Sequence, residues 1–253
     1  MCNTFISGAT GKVGRILIEK VLEDPSLILI GGSASKGSKN LGKDLGTLVG
    51  REQVNINIVD RISKINNIDL IIDFSTPFNS IKVLQFANKQ KIPIVLGTTG
   101  FNHKELKEID EISKEIPLLI APNTSMGIAL FKNMLDQIKD LLKIAPSVEI
   151  TEKHHKQKKD MPSGTAINLK EQLMEILSIN EIEITSFREG DFPGEHILKL
   201  VFDSEVIEIS HKVSDRAIFA NGAILAGKWL INKPAGSYTM QDIYSSWFNN
   251  FVL

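Results

Sequence analysis

The residues best equipped for chemistry lie between positions 152 and 166, in the stretch EKHHKQKKDMPSGTA. His154 and His155 are adjacent there, and Lys153, Lys156, Lys158 and Lys159 surround them against only Glu152 and Asp160. A histidine near its ordinary pKa can give or take a proton at neutral pH. Lysine is a flexible point charge for a carboxylate. The run ends in PSGTA, where Ser163 or Thr165 can cap a helix whose first amides, at Gly164 and Thr165, face outward. Together these types describe a receptor for a small dianion with a proton donor beside it. The alternative is a solvated lysine-rich turn. A metal site fits poorly. A strand continued to His155 would send the two histidines to opposite faces, and lysines repel a metal ion.

A second set lies near the start, in FISGATGKVGRILIEKVL, where Gly8, Gly11 and Gly14 fall between an apolar run and a helical pattern. Glycines in that setting permit a tight turn and close approach of a pyrophosphate to free N–H groups at a helix start. The residues of the turn, Gly8, Ala9, Thr10, Gly11, Lys12 and Val13, are the expected cofactor contacts. NAD-binding proteins usually carry an acid about 20 residues further on to hold the ribose hydroxyls. Here the second apolar run ends in GGSASKGSKN, with Ser33, Ser35, Lys36 and Lys39 and no acid. Ser35 and Lys36 would attract a 2′-phosphate, which favours NADPH over NADH. LGTTG at 96–100 and APNTSMG at 121–127 follow later apolar runs and are candidates for the nicotinamide end.

The elements that must position these residues fall into two groups. Apolar runs at Thr4–Ser7, Leu27–Gly31, Asn57–Val59, Leu70–Phe74, Ile94–Leu96 and Leu118–Ile120 alternate with helical patterns at Val13–Glu23, Ser80–Lys89 and His103–Glu115. That alternation predicts an α/β domain with a Rossmann-like parallel sheet over residues 1–123. Beyond it the spacing predicts a helix over Met126–Leu142, a strand at Val148–His154, a helix at Ala166–Leu177 and strands at Glu183–Arg188, Ile197–Phe202 and Val206–Val213. Helices at Arg216–Ile231 and Met240–Phe248 follow. Successive strands without helices between them predict an α+β domain with a mixed sheet over 124–232. Three strands with too few helices to cover both faces leave one face open, so the chain is expected to self-associate.

The 253 residues carry 29 basic and 30 acidic side chains, a formal charge of −1, which argues against a nucleic-acid partner. Cys2 is the only cysteine, which suits a reducing compartment. Residues 1–7 run straight into a strand-like segment rather than a leader, and no apolar stretch approaches the roughly 20 residues that span a bilayer. A cytoplasmic protein with no membrane partner is expected.

In their order, SGATGKVGR, DFSTP, GTTG, APNTSMG, EKHHKQKKDMPSGTA, FREGDFPGEH and ISHKVSDRAIFANGAILAGKWL resemble the 4-hydroxy-tetrahydrodipicolinate reductase (dihydrodipicolinate reductase) family over nearly the whole chain. The resemblance implies NAD(P)H-dependent reduction of a cyclic imine with two carboxylates, in the diaminopimelate route to lysine. It implies a nucleotide domain completed by a C-terminal helix within 233–253, a substrate domain over 124–232, and a homotetramer. By its motif His154 is the proton donor and Lys158 a second one. His155, Ser163, Gly164 and Thr165 hold substrate carboxylate, with Arg216 nearby. Cofactor contacts map to Gly8–Val13, to Gly97, Thr98 and Thr99, to Ala121, Pro122, Asn123 and Thr124, and to Phe219. Thr76 and Thr124 stand where some members have an arginine and an aromatic. The residues alone also admit another NAD(P)-dependent reductase, an amino-acid dehydrogenase, or a non-catalytic NADP sensor.

Overall fold

The computed structural model describes residues 1–191 and 193–248. The chain forms two compact units. One comprises Met1–Thr124 and the chain from Phe219 onward; the other is Ser125–Ile218. The helix expected in the second domain, at Arg216–Ile231, therefore counts almost wholly with the first unit. Residues 249–253 of the expected C-terminal segment lie outside the described residues.

The first unit is built on a parallel sheet of six strands, in the order β10-β5-β4-β3-β1-β2. The strands are β1 (Cys2–Ser7), β2 (Leu27–Ser33), β3 (Leu70–Asp73), β4 (Ile94–Leu96), β5 (Pro117–Ile120) and β10 (Gly236–Tyr238). Its helices are α1 (Lys12–Glu23), the single turn α2 (Leu45–Leu48), α3 (Pro77–Gln90), α4 (His103–Ser113), α8 (Ala217–Leu230) and α9 (Met240–Phe248). Local chemistry sets several starts. Pro77 opens α3, where its missing N–H costs nothing. Asn102 and Glu105 close a reciprocal capping box at α4. Phe5, Ile71, Leu84, Ile94, Leu96 and Leu118 are fully buried between sheet and helices.

Two strand readings change. Asn57–Val59 is not a strand: it makes only single bridges, Val59 to Ser33 and Asn57 to Asp44. Position six in the sheet belongs instead to β10, which pairs with β5 through Gly236 and Pro117. A three-residue strand of sequence Gly-Ser-Tyr, just after Pro234, has no apolar run to announce it.

The second unit is a four-stranded mixed sheet, order β7-β6-β8-β9, from β6 (Ser147–His154), β7 (Ile184–Arg188), β8 (Gly194–Val201) and β9 (Val206–Val213). β6 and β7 are parallel; β6–β8 and β8–β9 are antiparallel. One face is covered by α5 (Met126–Gln137), α6 (Lys139–Leu142) and α7 (Gly164–Leu177), with Phe131, Leu135, Leu169 and Leu173 packed on Ile150, Leu198 and Leu200. The expected single helix Met126–Leu142 is broken at Ile138, whose backbone leaves the helical region. The opposite face stays open. It bears Val206, 52% exposed, and Phe187, 42% exposed, but it is crossed by the ion pairs Lys199–Glu208 and Lys212–Glu195. Among the described residues no helix is long and apolar enough to cross a membrane.

At the carboxyl edge of the parallel sheet, Asp73 is fully buried. Ser75 donates to it at 2.7 Å and Thr98 at 3.0 Å, with Ser80 and Ser7 also bonded. Burial pushes this carboxyl above its ordinary range, and the four hydroxyls only partly offset that. The unfolded chain, ionising near pH ~3.9, therefore releases the Asp73 proton first, and stability drains away as pH rises toward the folded pKa. Asp73→Asn cannot ionise. Relative to the native chain it should gain stability between pH 4 and neutrality, measured as urea midpoints of both proteins at each pH. A stability gap that does not change with pH would contradict this.

Candidate active site

Parallel register aligns the carboxyl ends of the strands, Ser7 beside both Ser33 and Asp73, and Asp73 beside Leu96. The loops that follow β1, β3, β4 and β5 consequently gather along one edge. The sheet order reverses at β1, with β2 on one side and β3 on the other. Such a switch point is where open α/β sheets take nucleotides. Gly8 has φ +81°, and a methyl group there would stand 2.2 Å from the Phe74 carbonyl oxygen. At Gly14 it would stand 2.2 Å from the Gly8 carbonyl oxygen, and at Gly97 2.4 Å from the Phe74 ring. The Gly11 N–H donates to the Gly8 carbonyl at 2.9 Å. Gly8, Gly11 and Gly14 lie backbone against backbone, which is the cradle a pyrophosphate needs at the start of α1, while Gly97 makes room for the Phe74 ring. The residues fit a dinucleotide.

Several expected contacts are narrowed by what their side chains already do. Ala9 is fully buried, with its methyl facing Gly32, so only its backbone can meet a ligand. Thr98 is buried and its hydroxyl accepts from the Ser75 N–H at 2.9 Å while donating to Asp73. Thr124 is buried too, donating to the Phe219 carbonyl at 2.7 Å. Thr10 and Val13 are half-buried; Gly11, Lys12 and Thr99 are exposed. Ala121 is buried at the end of β5, with its N–H on the Leu96 carbonyl at 2.9 Å. Pro122 and Asn123 continue that loop, and Phe219 lies in the first turn of α8, half-buried.

Past β2, Ser35, Lys36 and Lys39 are exposed. The next acid, Asp44, is unavailable to a ribose. Its carboxylate caps α2 and accepts from the N–H groups of Gly46, Thr47, Val54 and Ile56 at 2.9–3.1 Å.

In the second unit the side chains of 152–166 divide sharply. Alternation along β6 turns Ile150, Glu152 and His154 inward. The strand ends at His154, so His155 occupies a turn instead, closed by the Lys158 N–H on its carbonyl at 3.1 Å. Glu152 has no exposed surface. One of its oxygens accepts from His154 Nδ1 and the other lies 2.7 Å from Arg188 Nη2. Burial alone would push this carboxyl up; Arg188, Ser186 and His154 outweigh it and hold it below the ordinary range, so it is charged. His154 moves the other way. Burial pushes its imidazole below the ordinary range, Glu152 opposes, and Lys158 and Arg188 reinforce. Lys158 pairs with Asp160 at 2.6 Å.

The row of rings extends across the sheet. His154 meets His196 edge-on at 5.1 Å, and His196 lies 6.2 Å from His211. His196 Nε2 bonds the Ser163 hydroxyl at 3.2 Å, and His211 Nε2 bonds the Ser125 hydroxyl at the same distance. Each serine caps a helix, α7 and α5 respectively. Burial first, then the charges of His154 and His211, pushes His196 down to about 3, so it is neutral at working pH. Two glycines make room: a methyl group at Gly194 would stand 2.6 Å from His154 Nε2, and at Gly127 2.7 Å from His211. Open space lies beside Gly164, where a methyl group would meet nothing within 4 Å. Glu152, His154 and His196 bring potential ligand atoms within 4.8 Å of one another. Arg188 already compensates the carboxylate, and His154 Nδ1 is bonded to it, so the cluster is poorly suited to hold a metal.

The fold thus joins His154, Lys158 and Ser163, with Gly164 and Thr165 opening α7. Arg216 stands half-buried immediately before α8. The sequence reading missed Glu152, Arg188, His196 and His211 as partners. Glu152 and His154 share a face by simple alternation, which was visible. The pairing of Glu152 with His196 and of His196 with His211 depends on strand register, which was not.

Two family models match consecutive stretches of the chain, the second of them running on through α8 and β10 of the first unit. The model described as the N-terminus of dihydrodipicolinate reductase matches residues 2–124, and the one described as its C-terminus matches 127–244. The fold is similar to a dipicolinate-bound dihydrodipicolinate reductase from Paenisporosarcina sp. TG-14, at 20% identity and TM-score 0.79 over 96% of this chain and 99% of that one. An amine dehydrogenase from Mycobacterium smegmatis is similar at 12% identity and TM-score 0.64, covering 95% of each chain. A substituted meso-dapdh from Clostridium tetani E88, solved with DAP, is similar at 12% identity and TM-score 0.55 over the full length of both. At such identities the likeness speaks to the fold alone. The two family models together span the glycine cradle and the buried histidine row, and the chain belongs to the dihydrodipicolinate reductase family.

Proposed function

We propose that this oxidoreductase reduces 4-hydroxy-tetrahydrodipicolinate to tetrahydrodipicolinate with NAD(P)H, the reductive step toward diaminopimelate and lysine in the cytoplasm. The observation that carries the reading is the buried, charge-compensated His154 beside the capped amino end of α7. The ligand in the Paenisporosarcina structure, dipicolinate, is a planar ring with two carboxylates, and such a dianion matches this site's cations and amides.

In this reading the amides of Gly164 and Thr165, oriented by the Ser163 cap, take one carboxylate. His155 and Lys158 face the other end of the anion, with Arg216 as a further cation. A bound reduced nicotinamide supplies hydride. Loss of the 4-hydroxyl as water leaves a conjugated C=C–C=N system, and a hydride added to its far carbon places negative charge on the ring. The cations of 153–159 lower the cost of that charge. His154, bonded to Glu152 through Nδ1, delivers the one proton gained from Nε2 to the ring, and Lys158 is the second group able to supply it. The balance is one hydride and one proton gained and one water lost.

His154→Gln and Lys158→Ala should each lower turnover about 100-fold or more while leaving NADPH binding intact, since positioned proton donors contribute ~10²–10⁴. Steady-state NADPH oxidation with freshly generated dihydrodipicolinate-synthase product measures this. Near-native turnover in both variants would refute the assignment.

The exposed Ser35 and Lys36, with Asp44 tied up by backbone amides, support a preference for NADPH. Catalytic efficiency should be at least equal with NADPH and should fall selectively for NADPH in Lys36→Ala. A clear NADH preference would show that this lysine does not reach the adenosine end.

The open face of the mixed sheet, with Val206 and Phe187 exposed, supports a homotetramer assembled through the second unit. Light scattering at low micromolar concentration should show a particle of four 28.0 kDa chains. A stable monomer would overturn the assembly but not the chemistry.

A further inference from the structure

Among the described residues Glu152 is the one acid of the second unit with no exposed surface, and the reaction as outlined gives it no direct task. Its surroundings are specific. β6 lies between β7 and β8, and Glu152 is opposite Ser186 on one side and His196 on the other. Arg188, one pleat further along β7 and opposite His154, reaches back to the carboxylate. Arg188 is itself held, donating to the carbonyls of Phe187 at 2.7 Å and Asp160 at 2.5 Å. Asp160 in turn pairs with Lys158. A charged carboxylate can only accept, so His154 Nδ1 must carry a hydrogen in both protonation states. The proton that comes and goes is then the one on Nε2, the edge of the ring that packs against Gly194, where any side chain would strike it.

We propose that Arg188 and Glu152 are a positioning pair for His154, in which Glu152 fixes the imidazole tautomer and Arg188 sets how much of the carboxylate's charge the imidazole feels. This rests on His154 being the proton donor. The two members act in opposite senses. Glu152 favours the imidazolium. Arg188 disfavours it, by its own charge and by drawing on the carboxylate it shares. The other groups facing His154 are Lys158 from the loop, balanced by Asp160, and His196 from β8, with His211 of β9 behind it. His196 stays neutral at working pH and so adds no charge. A purely structural ion pair would lower activity or stability on removal of either partner. It would not move one titration in two directions.

The test is the titration of His154 in the unliganded full-length protein, followed by NMR of the imidazole carbons and nitrogens and assigned by the signal lost in His154→Gln. The native protein should show the Nδ1–H tautomer at high pH. Glu152→Gln should lower the His154 pKa by about one unit, a tenfold loss in proton affinity, and Arg188→Gln should raise it by a smaller amount. The alkaline limb of the pH dependence of kcat/KM should move in the same directions, whatever the height of the plateau. Should either single variant fail to fold, Glu152→Gln/Arg188→Gln removes both charges together and restores a neutral buried pair. Its His154 pKa should then fall below the native value, since the larger, favourable partner is gone. Shifts of the same sign in both single variants, no shift in either, or an Nε2–H tautomer in the native protein would overturn the proposal. These readouts need no substrate, so they stand apart from the proposed reaction. A native-like turnover in His154→Gln would remove the proton-donor role while leaving the pair itself tested.

Discussion

A carboxylate shut away from water must be surrounded by compensating charge and hydrogen bonds, or it will not stay ionised. Glu152 is such a group, and much of the second unit can be understood as its compensation. β7 runs parallel to β6, which places Arg188 where it can reach the carboxylate. β8 brings His196, which reaches the Ser163 cap of α7. The helix end, the arginine and the His154 ring are therefore parts of one arrangement.

The first unit solves a related problem with hydroxyls instead of cations. Asp73 is as buried as Glu152, yet it faces Ser7, Ser75, Ser80 and Thr98 rather than an arginine. Four neutral donors do not balance a buried charge, and the carboxyl rises toward its protonated form. The same hydroxyls tie the ends of β1, β3 and β4 to one another, which holds the glycine cradle and the loop at 97–99 in register.

How much of this was legible in the chain depends on the range of each interaction. The glycine turn, α1 and the run of 152–166 are local, and their residues announce themselves by type and spacing. The antiparallel hairpin of β8 and β9 was visible because only a short turn separates its strands. What was not visible required long-range pairing. β10 is three residues with no apolar signature and exists only because β5 offers it an edge. Asn57–Val59 has the apolar alternation of a strand but finds no continuous neighbour, and so makes bridges alone. Thr98 and Thr124 look like ligand contacts in a hydroxyl-rich loop. Only the folded chain shows that their hydroxyls are already spent on Asp73 and on the Phe219 carbonyl.

That last bond, between Thr124 and Phe219, joins the two places where the chain leaves and re-enters the first unit. Gly222 reinforces it, since any side chain there would strike the Thr124 carbonyl. The second unit is thus an insertion whose ends meet, and α8, β10 and α9 are supplied only after it. On a ribosome, where domains form as the chain emerges, the nucleotide unit waits unfinished with β5 as a bare edge. The inserted unit has every strand and helix it needs before that edge is covered. Order of completion therefore runs opposite to order of initiation: the part that begins first is completed last.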